Sequence, residues 1–149
     1  MDRVADRLSG HERIGLDTSI FIYHFELHPI YQQLTAQVLD GVVSGRWTAL
    51  TSTITLMELT VLPWRQGRRR AAQAYEALLA NFPNLEIVDI DRDAAHRAAQ
   101  LRAEFDLRPA DALQIGAAIV NGATAWVGND RVHRRVSKEI EVLVLEELV

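Results

Sequence analysis

The chain has 149 residues, 48% of them hydrophobic and 24% charged, the balance of one globular domain with a packed core and not of a disordered or fibrous chain. Cysteine is absent, which excludes disulfides, thiolate zinc sites, iron–sulfur clusters and a cysteine nucleophile. The formal charge of −4 does not advertise nucleic-acid binding, and with Lys138 the only lysine, arginine clusters carry compositional bias as well as information.

The segment Met1-Asp2-Arg3-Val4-Ala5-Asp6-Arg7 mixes charges and lacks the apolar core of a signal peptide, so a cytoplasmic protein is expected. Arg13-Ile14-Gly15-Leu16 reads as a strand, Asp17-Thr18-Ser19 as its turn and cap, and Ile20-Phe21-Ile22-Tyr23 as the opening of a helix. Leu34, Val38, Leu39 and Val42 share one face of a second helix over 30–43, which Gly45 closes. A strand is predicted over 47–51. Ser52 or Thr53 then caps a helix whose Ile54, Met57, Val61 and Trp64 are expected to face inward.

Residues 68–81 read as a helix, 85–90 as a strand, and 91–106 as a helix with Ala95, Ala98, Leu101 and Phe105 on one side. Pro109 opens the next helix at a position where proline is tolerated. That helix, through Val120, is apolar nearly all round except at Asp111 and Gln114, which predicts a central, buried element. Residues 124–127 and 142–145 read as the last strands. The longest strongly apolar stretch, 115–120, is far short of the ~18–20 residues that cross a bilayer, so no membrane association is expected. Five strands separated by helices imply a three-layer α/β/α sandwich on a mostly parallel sheet, forming a single domain over 1–149. In such sheets the ligand site lies beyond the carboxyl ends of the strands.

Four acids fit that location. Asp17 ends the first strand, Asp130 follows the fourth through Gly128-Asn129, Asp111 lies in the first turn of the apolar helix, and Glu58 sits at the edge of its helix's inward face. Each alone has a structural explanation as a cap, a dipole partner or a solvated flank. Asp111 is the most telling, because a carboxylate on a buried helix is costly unless paired or bound to a cation; Arg108 is the competing partner. Carboxylates sharing a crevice repel, and a divalent cation relieves that repulsion. Oxygen ligands favour Mg²⁺ or Mn²⁺ over zinc, and metal-activated water attacking a phosphodiester is the chemistry that follows.

Leu16-Asp17-Thr18-Ser19 after a strand, Glu58 within Thr53-Ile54-Thr55-Leu56-Met57-Glu58-Leu59, Pro109-Ala110-Asp111-Ala112-Leu113-Gln114-Ile115 and Val127-Gly128-Asn129-Asp130-Arg131 together resemble the PIN-domain family, particularly VapC-type toxins. The resemblance spans almost the whole chain in order. It implies a PIN-like α/β/α fold and an Mg²⁺- or Mn²⁺-dependent ribonuclease acting on RNA, often a homodimer and often held inactive by a VapB-type antitoxin. It also implies Asp17, Glu58, Asp111 and Asp130 as catalytic metal ligands, with Thr18, Ser19 and Asn129 in support. The pattern departs at Val132 and His133, where many relatives carry a further acid.

Arg131, Arg134 and Arg135 directly follow Asp130 and are candidate RNA contacts; Arg65, Arg68, Arg69 and Arg70 read rather as a solvated face. His24 and His28 stand at a zinc-like spacing, but Pro29 ends the helix. Trp47, Trp64 and Trp126 are expected to pack in the core. Two rival readings are an inactive PIN-like binding module and a receiver-like phosphoacceptor, the latter needing a late lysine at a strand end, which Lys138 does not supply.

Overall fold

The aliphatic and β-branched runs form five strands in a computed structural model that describes residues 3–149. They are β1 (Arg13–Leu16), β2 (Thr48–Ser52), β3 (Leu85–Val88), β4 (Ala125–Gly128) and β5 (Glu141–Val144), in the spatial order β3-β2-β1-β4-β5. All four pairings are parallel, with Gly15 beside Leu50 on one flank of β1 and beside Trp126 on the other. The chain runs outward from β1 through β2 to β3 and then returns to build β4 and β5 on the opposite side. The carboxyl ends of β1 and β4 therefore flank a topological switch point, where such sheets open a crevice.

Among the described residues seven α-helices cover the sheet: α1 (Arg3–Leu8), α2 (Thr18–Phe25), α3 (Gln32–Ser44), α4 (Thr53–Arg65), α5 (Arg69–Ala80), α6 (Arg92–Phe105) and α7 (Pro109–Val120). Strand side chains alternate between faces, and the core divides accordingly. Ile14, Leu16, Ala49, Val127 and Leu143 join Phe21, Val38 and Leu79 of the first helices in one apolar layer. Leu50, Trp126, Val142 and Val144 join Leu101 and Ile115 of α6 and α7 in the other. Within this second layer Gly116 lets α7 lie close against α6: a Cβ there would meet the Ala98 backbone nitrogen at 3.0 Å.

The three-layer fold and its parallel sheet are as the sequence predicts, and strand and helix limits move by only one or two residues. Three expectations are corrected. First, Met57, Val61 and Trp64 are exposed, at 58%, 43% and 51%; α4 instead turns Thr55, Leu59, Thr60 and Pro63 inward, so its apolar stripe faces outward. Trp47 and Trp126 are buried as expected. Second, Ala94 and not Ala95 joins Ala98 and Leu101 under α6, because the four-then-three spacing of 94, 98 and 101 follows the 3.6-residue turn more closely than the three-then-three spacing of 95, 98 and 101. Third, α1 was not foreseen; it is one short helix whose Val4 and Leu8 are buried in the core, with Ala5 packed against it. Met1 and Asp2, part of the segment read for a signal peptide, lie outside the described residues. No helix among the described residues is long and apolar enough to cross a membrane.

Candidate functional site

Local chain geometry brings each acid to the switch point. Asp17 N-caps α2, its Oδ2 accepting from Ser19 Oγ at 2.8 Å, while its own N–H donates to Val127 O at 2.9 Å and ties the end of β1 to β4. Gly128 makes room there, since a Cβ at that position would stand 3.1 Å from Asp17 Cβ. Asp130 caps a 3-10 turn (Arg131–Val136) by accepting from Val132 N–H at 2.9 Å. Asp111 occupies the first turn of α7, where Pro109 needs no hydrogen-bond acceptor. Glu58 projects from α4 and accepts from Thr18 Oγ1 at 2.7 Å. Asp17, Glu58, Asp111 and Asp130 all line one crevice, together with Thr18, Ser19, Arg108 and His133.

Asp111 is half-buried rather than buried, its side chain 16% exposed. Both its oxygens face cationic or N–H groups: Oδ2 lies 3.1 Å from Arg108 Nε, and Oδ1 lies 3.5 Å from His133 Nε2. His133 and Arg108 hold its carboxyl below the ordinary carboxylate value, against the opposing effect of burial. Arg108 also reaches Asp130 Oδ2 at 3.4 Å, and its own side chain is 77% exposed. The guanidinium thus straddles two carboxylates at the surface of the crevice, where an exposed pair contributes little stability.

Sequence reasoning passed over His133. Its imidazole is 2% exposed, and Asp111, Asp130 and His133 place one ligand atom each within 4.8 Å of one another. Burial lowers its affinity for a second proton, but Asp111, Asp17 and Asp130 outweigh that and raise the value overall. The signal was present: His133 follows Asp130 by three residues, and in a 3-10 turn such positions stack on one side.

Behind the crevice, buried Gln114 organises a hydroxyl network. Its Nε2 donates to Thr18 Oγ1 at 3.0 Å and to Thr55 Oγ1 at 3.1 Å, and its Oε1 accepts from Ser52 Oγ at 2.7 Å. Because Thr18 spends its only proton on Glu58, the amide must turn its nitrogen toward Thr18, and Thr55 must donate to Thr18 across their 2.8 Å contact.

The model of one protein family, the PIN domain, matches residues 14–139. The chain belongs to the PIN domain family. Comparison with curated proteins returned no match. Among solved structures, DNA-bound VapBC from Salmonella typhimurium shares the fold with a TM-score of 0.69 and 24% identity, over 90% of this chain and 98% of that one. VapBC2 from Rickettsia felis bound to a promoter DNA fragment gives 0.69 and 20%, over 89% and 98%. VapC20 from Mycobacterium tuberculosis, a sarcin–ricin loop cleaving toxin, gives 0.60 and 19%, over 76% and 86%. At such identities the likeness is one of fold.

Other residues singled out in the sequence lie off the crevice of this PIN domain. Asn129 braces the loop after β4, donating to Tyr23 OH at 3.2 Å and accepting from Glu146 N–H at 2.7 Å. Arg131 pairs with Glu146 at 3.2 Å, Arg134 pairs with Glu147, and Arg135 donates to Asp106 O at 3.0 Å. None of the three lines the crevice; Arg108 does. His28 Nδ1 accepts from Ile30 and Tyr31 N–H groups at 3.1 and 3.2 Å, so it caps a turn. Lys138 lines a shallow concavity with Thr124 and Glu141 at the amino ends of β4 and β5, at the far end of the sheet from the acids, which removes the phosphoacceptor arrangement.

Proposed function

We propose that this PIN domain is an Mg²⁺- or Mn²⁺-dependent ribonuclease, the toxin of a type II toxin–antitoxin pair. The observation that carries the reading is the convergence of Asp17, Glu58, Asp111 and Asp130 in one crevice at the switch point. The carboxylates come from four separate elements and concentrate negative charge that only Arg108 and His133 offset from within the crevice. A hard divalent cation fits an all-carboxylate donor set, and the arginine now straddling Asp111 and Asp130 stands where positive charge is needed.

In this reading Asp17, Glu58, Asp111 and Asp130 hold the metal, which when bound supplies an activated water and neutralises charge on the leaving oxygen. Ser19 holds one oxygen of Asp17 and Thr18 one oxygen of Glu58, which fixes each carboxylate and would leave its second oxygen for the cation. Arg108, displaced from the carboxylates, contacts the RNA phosphate. The fold shared with a sarcin–ricin loop cleaving toxin supports RNA as the substrate. Purified protein should cleave RNA with Mg²⁺ or Mn²⁺ and not with EDTA; metal binding without cleavage would instead favour an inactive binding module.

A groove supports the antitoxin partner. Phe25, Leu59, Leu62, Pro63 and Tyr75 of α2, α4 and α5 line it, and it shares Ile22 and Glu58 with the acidic crevice. An amphipathic antitoxin helix seated there would deliver a cationic tail to the carboxylates. The outward stripe of Met57, Val61 and Trp64 is the face assigned to a second copy in a homodimer, and light scattering on Trp64→Glu tests that assignment. The cell compartment of this reading is the cytoplasm, where RNA and antitoxin both reside.

A further inference from the structure

His133 meets two neighbours with opposite demands. On one side Trp126, itself 1% exposed, points its indole Nε1–H at His133 Nδ1 over 3.1 Å, the rings set edge-on at 62°. An indole nitrogen only donates, so Nδ1 must present its lone pair, and the single proton of the neutral ring resides on Nε2. On the other side Nε2 is buried with no hydrogen-bond partner. It stands 3.5 Å from Asp111 Oδ1 and 4.0 Å from Asp130 Oδ2. A metal would need the lone pair at Nε2. The proton would then move to Nδ1, where two N–H groups would oppose each other in a site closed to water, and a buried hydrogen bond would be lost.

We infer that Trp126 locks His133 as a neutral Nε2–H donor, so that this histidine positions the Asp111 carboxylate and stays out of the cation's ligand set. Although His133 stands at ligand spacing with Asp111 and Asp130, the lock keeps the centre all-oxygen. Imidazole favours zinc and carboxylate favours magnesium and manganese, so Trp126 acts as a specificity residue for the metal without touching it. The inference takes its cation from the metal-nuclease reading, whereas the tautomer rests on the indole contact alone.

Long-range ¹H–¹⁵N correlation spectra of the whole ¹⁵N-labelled chain at pH 8, with His133 assigned by loss of its signals in His133→Gln, read the tautomer directly. The expected spectrum has a protonated Nε2 and an unprotonated Nδ1, unchanged by Mg²⁺ or Zn²⁺. A proton on Nδ1, a doubly protonated ring, or a Zn²⁺-induced shift at Nε2 would overturn the inference. Trp126→Phe keeps an aromatic ring and removes the donor. Its Zn²⁺ affinity by calorimetry should rise roughly tenfold or more, with Mg²⁺ affinity within about twofold of the parent; a folded variant with unchanged Zn²⁺ affinity counts against the lock. If Trp126→Phe does not fold, the parent spectrum decides. Absence of RNA cleavage beside the expected tautomer would remove the nuclease reading and leave the lock standing.

Discussion

Gln114 and Thr18 meet through a 3.0 Å hydrogen bond between α7 and α2, and the Thr18 hydroxyl carries that link on to Glu58. Gln114→Met keeps the volume but leaves Ser52 without its acceptor and removes one of the donors to each of Thr18 and Thr55. A loss of about 1–3 kcal/mol is expected in chemical denaturation. Glu58 should also lose its fixed orientation, so cleavage falls even where the variant is folded.

Asp17→Asn and Asp111→Asn should each fold and cleave RNA at least ~100-fold more slowly, since a lost ligand removes both water activation and charge stabilisation. Circular dichroism beside a single-turnover assay separates folding from chemistry. Parent-like cleavage by both would remove the site assignment.

Divalent metal should raise the melting temperature. At a metal concentration ~100-fold above Kd the gain is about 2.7 kcal/mol. Arg108→Gln removes the competing cation, and because the pair with Asp111 is exposed on the arginine side, metal affinity should rise about two- to fivefold. Asp111→Asn should change stability in EDTA by less than about 1 kcal/mol and lose most of the metal-induced shift. A large destabilisation in EDTA would make Asp111 a structural partner of Arg108 instead.

His24 offers a pH test away from the crevice. Burial holds its imidazole below the ordinary 6.5, with Asp40 pulling the other way, and its Nδ1 is buried without a partner. The unfolded chain therefore binds this proton more readily than the folded one. The contribution is constant above pH 6.5 and is lost as pH falls below it. His24→Gln should lose less stability than the parent as pH falls below 6.5, read from urea midpoints. A variant that follows the parent's profile would show that His24 titrates normally.

The parts of the fold that follow from periodicity were legible in the sequence. Asp17, Ser52 and Asp130 cap where their residue types predict, and Pro109 opens its helix. The acids were legible for the same reason, since caps and first turns fix where they point. The orientation of α4 was not. Its inward face carries Thr55 and Thr60, and Thr55 is accommodated by Thr18 and Gln114, partners distant in sequence that no single-helix pattern displays. His133 was missed although Trp126 stands only seven residues before it, because their contact exists only once the chain turns at the end of β4.

The order of the strands also governs when the crevice comes into being. β1, first of the strands to be made, is the centre of the sheet and gains its second neighbour only with β4. Asp17 and Glu58 therefore leave the ribosome long before Asp111 and Asp130, with the two pairs unjoined until β4 docks beside β1. Such non-local closure is slow. A nascent chain, at the moment it is surrounded by ribosomal RNA, holds only half of these four acids, so the order of synthesis itself delays the assembly of the acidic crevice beside the machine that makes it.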